Sequence, residues 1–268
     1  MKCLRLKNIQ LGIGTGLLGV MLLSMGGVVL LYDFSIELDM ERRLEPASSV
    51  YLLGTDDLGR DVLSCVVYGA WISLLIGVTA VGLSAAVGTV LGLISGYAGG
   101  LFDGLIMRLV DVIMAFPGIL LALALASFLS PGIDTLIGVL AFAGWGPFAR
   151  LIRGEVLKYK QQEFILAAKS YNASFWRILF FHLLPLILPL LFIQASLAIC
   201  GVILAESSLN FLGVGLKPEI PTLGQLLDAG RGHLFDRPGL MVIPGLVLFG
   251  LIMAFHFIGE GLRSRFTR

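Results

Sequence analysis

Charge is scarce in this chain: only 14% of its 268 residues are Asp, Glu, Lys or Arg, where a soluble domain carries roughly a quarter. A soluble globular fold is excluded, and so are a disordered tail and a collagen-like repeat. Cysteine is almost missing, and Cys3, Cys65 and Cys200 form no CxxC pair, so neither a disulfide framework nor a zinc site is expected. His182, His233 and His256 are far apart and build no HExxH or other short ligand pair; no metal site is expected. No lysine follows a glycine, so GxxxxGK[ST] is absent and no nucleotide site is expected on this chain. A Ser/His/Asp set or two intramembrane acids at plausible spacing are also missing, which argues against a membrane hydrolase, and no enzymatic activity is expected.

What the chain does have is apolar residues, 57% of the total, with 34 glycines and 10 prolines. Lys2, Arg5 and Lys7 precede an apolar run over 11–32. That run is longer than the ~7 to 15 residues of a signal-peptide core and no A-x-A site follows it, so it reads as a retained transmembrane helix. Further windows of ~20 residues with almost no charge fall at 72–94, 106–129, 135–152, 179–204 and 240–258. The expected fold is an all-α membrane protein with six transmembrane helices, because backbone groups in lipid must pair within the segment and no alternating barrel strands occur. It divides into an N-terminus with the first helix (1–32), an external loop (33–71), and a core of five helices (72–268) that includes a cytoplasmic loop (153–178).

Basic residues orient these spans. With the N-terminus inside, Lys2, Arg5, Lys7, Arg108, Arg150, Arg153, Lys158, Lys160, Lys169, Arg177, Arg263, Arg265 and Arg268 fall on the cytoplasmic side. Only Arg42, Arg43, Arg60, Lys217, Arg231 and Arg237 fall outside. Both termini are therefore expected in the cytoplasm.

Several segments carry more specific signals. Ser84, Gly88, Gly92 and Gly96 repeat at every fourth residue, a stripe that lets a second helix approach closely. Arg108 and Asp111 sit three apart on one helix and are expected to pair. Outside the lipid, Gly54-Thr55-Asp56-Asp57-Leu58-Gly59-Arg60-Asp61 reads as a turn in which Thr55 caps a helix with an acidic first turn. In the cytoplasmic loop, Phe164, Ile165, Ala168 and Tyr171 share one face of a short helix, and Gln162, Glu163, Lys169 and Ser170 share the other. Such a helix can lie among lipid headgroups, but small Ala167 and Ala168 beside bulky apolar residues suit a partner's groove better. Glu206, with Ser207 and Asn210, is rare intramembrane polarity beside a Gly-rich stretch, and Gln194 lies ~3.3 turns earlier on roughly the same side. Two readings remain open for that set: a polar patch lining a translocation pathway, or hydrogen bonding between helices.

The cytoplasmic run Leu166-Ala167-Ala168-Lys169-Ser170-Tyr171-Asn172-Ala173-Ser174, closing on His182-Leu183-Leu184-Pro185, resembles the E-A-A-x-x-x-G loop of permeases in ATP-binding-cassette (ABC) importers. Leu53 to Asp61, Met107-Arg108-Leu109-Val110-Asp111 with Phe116-Pro117, and Glu206 to Gly215 match the dipeptide, oligopeptide and nickel permease family in its own order. The likeness covers 52–262 and points to the C-type subunit of the permease pair. It departs at Leu166, where the family has Glu, and at Asn172, where it has Gly. Asn is the next-best residue for a left-handed backbone, so the turn is expected to survive.

The resemblance implies a type I importer permease in the bacterial inner membrane that forms the translocation pathway for short peptides. Glu163, Leu166, Ala167, Ala168, Asn172, Ala173 and Ser174 would be the coupling element. A second related permease, two ATPases holding ATP and Mg, an external substrate-binding protein and the surrounding lipid are the implied partners; nucleic acid is not among them. Nickel or another small solute is the alternative cargo. An ion-coupled secondary transporter would require more paired acids or broken mid-membrane helices than the sequence shows.

Overall fold

The computed structural model describes residues 2–31 and 36–266. Tyr32 and Asp33, where the first span was expected to give way to the external loop, and Arg268 lie outside the described residues. Among the described residues there is no β-strand, only an isolated bridge between Thr55 and Asp61. Five helical stretches are long and apolar enough to cross a bilayer. They contain α1 (Lys2–Leu31), α2 (Val62–Ala98), α5 (Ile133–Tyr159), α8 (Leu184–Phe211) and α10 (Gly239–Phe266).

The remaining span, expected as one helix over 106–129, is broken into α3 (Gly100–Met114) and α4 (Gly118–Phe128), which meet at 85°. Phe116-Pro117 is the cause. A proline disfavours helical backbone in the residue before it and offers no N–H to the preceding turn. Short helices α6 (Glu163–Ser170), α7 (Phe175–Arg177) and α9 (Leu223–Arg231), a 3-10 turn, Met40–Arg42, and a π-helical segment, Ile178–Leu183, complete the regular structure of the described residues.

Helix α2 organises the rest. It begins at Val62 rather than Ile72, so residues 62–71, read from sequence as external loop, are helical. Asp61 starts it by accepting a hydrogen bond from the Ser64 backbone N–H at 2.8 Å, which satisfies one orphan donor of the first turn. Its 37 residues span ~55 Å, well beyond the ~30 Å hydrocarbon core. It reaches three apolar clusters in turn. Val62, Cys65, Val66, Ala70 and Leu74 pack with α9 and α10; Ile72, Ile76 and Ala80 pack with α4, α5 and α8. Leu93 packs with Ile152, Val156, Ile165 and Leu179 at the far end. The bundle therefore has an α9 end, which also carries the 36–61 loop, and an α6 end.

The small-residue stripe does what its spacing predicts. A Cβ on Gly88 would lie 2.6 Å from the Trp145 carbonyl oxygen and one on Gly92 2.6 Å from that of Ala149. Ser84 donates to the Ala141 carbonyl at 3.1 Å. α2 and α5 thus touch backbone to backbone, as membrane helices rich in small residues do.

The expected Arg108–Asp111 pair does not form. Asp111 instead accepts from Arg150 of α5 at 2.5 Å, because Val110 and Met114 seat α3 on Gly146 and turn Asp111 toward α5.

Candidate functional site

The α6 end is built from a helix that buries little of itself. Ile165 is its one fully buried side chain, at 0% exposure, and anchors it under Leu93, Val156 and Leu183. Phe164, Leu166 and Ala167 stay exposed, and Tyr171 is 90% exposed. The expected apolar face is therefore split: Ile165 holds the helix to the bundle, while Phe164 and Tyr171 are uncovered. Ala168 and Ala173 are half-buried, and Glu163, Asn172 and Ser174 are exposed.

Asn172 ends the helix as its spacing predicts, at φ 57°. The Ala173 N–H donates to the Ala168 carbonyl at 3.0 Å and the Asn172 N–H to the Lys169 carbonyl at 2.9 Å. That is the Schellman pattern with Asn at the left-handed position. Ser174 then caps the next turn through the Arg177 N–H. Asn172→Gly is expected to raise stability by ~0.5–1 kcal/mol, and Asn172→Val to lower it by ~1–2 kcal/mol, because only glycine takes this backbone freely. Thermal melts of the purified protein check both signs; a valine variant as stable as the parent contradicts the assignment.

Tertiary contacts around α6 had no signal in the sequence. Lys160, just before the helix, donates to the Gly96 carbonyl of α2 at 3.0 Å. Lys169, in its last turn, places its ammonium 5.0 Å from the centroid of the Tyr97 ring, and Phe175 meets the same ring edge-on at 5.3 Å. Nearby, Arg153 of α5 clasps Asp103 of α3 with two hydrogen bonds, 2.5 and 2.6 Å. Ser95 of α2 donates to the same carboxylate. These ties hold α2, α3, α5 and α6 in one fixed arrangement.

The set Glu206, Ser207 and Asn210 is brought together, but inside the protein. All three are buried, and Glu206 has 0% exposure. Ser73 of α2 donates to Glu206 Oε2 at 2.7 Å, Ser207 donates to the same oxygen at 3.2 Å, and Asn210 Nδ2 donates to Oε1 at 2.6 Å. Asn210 Oδ1 accepts from the Leu216 N–H at 2.7 Å, fixing the chain after α8. Of the two readings left open for this set, the geometry of Glu206, Ser207 and Asn210 matches hydrogen bonding between helices: with Ser73 they form a latch between α2 and α8. Gln194 stands apart, half-buried on α8.

The Gly54–Asp61 motif is also tertiary rather than local. Asp61, not Thr55, caps the helix. Thr55 donates to the Arg42 carbonyl and accepts from the Glu45 N–H at 2.7 Å, so it ties the loop to itself. Asp56 accepts from the Leu58 and Arg60 N–H groups, each at 2.9 Å, and from Arg60 Nε at 2.8 Å. Arg60 reaches on to the Pro218 carbonyl at 3.2 Å, joining the two connections at the α9 end. Gly54 and Gly59 sit at φ 77° and 74°, and a side chain on Gly59 would run into the Asp39 carbonyl. Asp57 is half-buried beside them.

A cavity of about 310 Å³ opens between α4, α5 and α8, lined by Gly118, Ile119, Leu140, Ala143, Gly144, Gly201, Val202, Leu204 and Ala205. Glycine and alanine make up much of its wall, which is why the helices leave space there.

Helices long and apolar enough to cross a membrane, a cavity lined largely by small residues between α4, α5 and α8 and an uncovered helix at one end make this an integral membrane subunit with surface left for partners. Residues 88–268 match the family of binding-protein-dependent transport system inner membrane components. The chain is 40% identical over 220 residues to the dipeptide transport system permease protein of Haemophilus influenzae, covering 82% of this chain and 75% of that one. It is 39% identical over 233 residues to the glutathione transport system permease protein of Pectobacterium atrosepticum, covering 87% and 77%. It is also 38% identical over 228 residues to a dipeptide transport system permease protein of Alkalihalophilus pseudofirmus, covering 85% and 75%. This chain belongs to that family: it is a multi-pass inner membrane permease of an ABC importer.

Proposed function

We propose that the chain forms half of a translocation pathway for short peptides and that α6 is the element on which an ATPase docks. The uncovered apolar surface of α6 carries this reading: Phe164, Leu166, Ala167 and Tyr171 lie outside the membrane-spanning helices yet are left without cover. A protein groove is the occupant that fits such a helix. The excess of basic residues at the α6 end supports a cytoplasmic location for it and for both termini. Peptides are supported by the dipeptide and glutathione systems named for the relatives.

In this reading a second, related permease closes the cavity between α4, α5 and α8 from the other side. Two ATPases bind ATP and Mg, and an external binding protein delivers the solute. This chain contributes no catalytic group. Closure of the ATPases on ATP favours one of two arrangements of the permease pair, and nucleotide release favours the other.

Ala167→Glu tests the docking role, since Ala167 is exposed and a charge there leaves the fold intact. A carboxylate buried unpaired at the interface costs about 3–5 kcal/mol. The ATPase should no longer co-purify with the membrane-inserted permease, and uptake of radiolabelled alanyl-alanine should stop. Full ATPase recovery with this variant rejects the assignment. Uptake by cells lacking the permease gene, unchanged from the parent strain, rejects the peptide cargo.

A further inference from the structure

The last turn of α2 holds both ends of the docking helix. Lys160 enters α6 bonded to the Gly96 carbonyl at 3.0 Å, where the negative end of the helix dipole favours a cation. Lys169 leaves it over the ring of the very next residue, Tyr97, at 5.0 Å, a cation–π contact within the ~6 Å range of such pairs. Phe175 closes the same ring from its edge.

Of the spanning helices that follow the 36–61 loop, α2 is the one that runs between the two ends of the bundle without a proline; α1, before that loop, has none either but packs mainly on α10. Pro147 interrupts the hydrogen bonding of α5, Pro189 that of α8 and Pro244 that of α10, while Pro117 separates α3 from α4. Proline is where membrane helices bend. Helix α2 has none, and the backbone contact with α5 along Gly88 and Gly92 stiffens it further. At its other end it is fixed by the Asp61 cap, by Gly69 lying against Thr222 and Leu223, and by the Ser73–Glu206 hydrogen bond.

We infer that Tyr97 is a positioning residue through which displacement of the docking helix enters α2, and that α2 carries it as a rod to the α9 end. The inference rests on the docking role of α6. Coupling between two sites is reciprocal. In this inference a solute-loaded binding protein acting at the α9 end also reaches the docking helix, and the ATPase on it, through α2.

The test uses the complete importer in lipid nanodiscs: this permease, its partner permease, the ATPases, and the binding protein purified with the solute it carries. Hydrolysis of ATP is measured with and without the binding protein. Tyr97→Leu should keep the ATPase bound and basal hydrolysis unchanged, while stimulation by the binding protein falls about fivefold or more. Tyr97→Phe keeps the ring and should retain full stimulation. Lys169→Gln, which leaves the apolar core alone, should show a smaller loss in the same direction. Stimulation of Tyr97→Leu at the parent level overturns the inference, and so does loss of the ATPase from that variant, because Tyr97 would then only shape the docking surface. Failure of the docking role itself shows separately, as ATPase retained by Ala167→Glu.

Discussion

Leucine at Gly92 is expected to leave almost no correctly folded permease in the membrane. A Cβ there would already stand 2.6 Å from the Ala149 carbonyl oxygen and 2.9 Å from Ile152 Cβ. Neither atom belongs to a flexible side-chain tip, so α5 has to move away. Overpacking a core costs about 1–3 kcal/mol when side chains can yield, and a backbone-to-backbone contact yields less. Moving α5 also drags Arg153 from Asp103 and empties the seat of Val110 against Ala149. Extraction in mild detergent followed by size-exclusion chromatography should recover aggregate or nothing. Gly82→Leu is the control, since nothing lies within 4 Å of a Cβ at that exposed position; it should behave as the parent. A well-folded Gly92→Leu protein would show that the two helices do not touch as described.

Removing Arg60 should be nearly as damaging, for an electrostatic reason. Arg60 and Asp56 are an ion pair at 2.8 Å with each side chain only 4% exposed. Arg60→Met leaves the Asp56 carboxylate buried without its counter-charge, which costs about 3–5 kcal/mol. The bond to the Pro218 carbonyl is lost as well, so the connection after α8 comes loose from the loop before α2. The double variant Asp56→Asn, Arg60→Met should recover much of the loss, since an amide oxygen can still accept from the Leu58 and Arg60 N–H groups and no charge is left buried. Thermal melts of the parent, both single variants and the double variant give the coupling between the two residues. Additive losses would mean that the pair is not the source of the stability.

The residues that sequence reasoning placed well are those whose role depends on near neighbours. Asn172 was legible because a helix stop needs a residue that tolerates positive φ, and only Gly and Asn do so readily. The stripe from Ser84 to Gly96 was legible because a four-residue period puts small side chains on one face whatever lies opposite. Thr55 and Asp61 were confused because both can cap a helix. What separates them is the Arg42 carbonyl, to which Thr55 is committed across thirteen residues.

The sequence by itself determined that this is a helical membrane protein, roughly where its spans lie, and that a short amphipathic helix follows the fourth apolar window. Those conclusions rest on composition and on periods of a few residues, which the chain carries locally. Only the tertiary structure decided that Glu206 is a latch, because its partner Ser73 is 133 residues away, and that Asp111 belongs to Arg150, 39 residues on, rather than to Arg108. A spacing of three allows a pair but does not fix it. Which way a charged side chain turns depends on the helix packed against it, and in α3 that is decided by Val110 and Met114 fitting over Gly146.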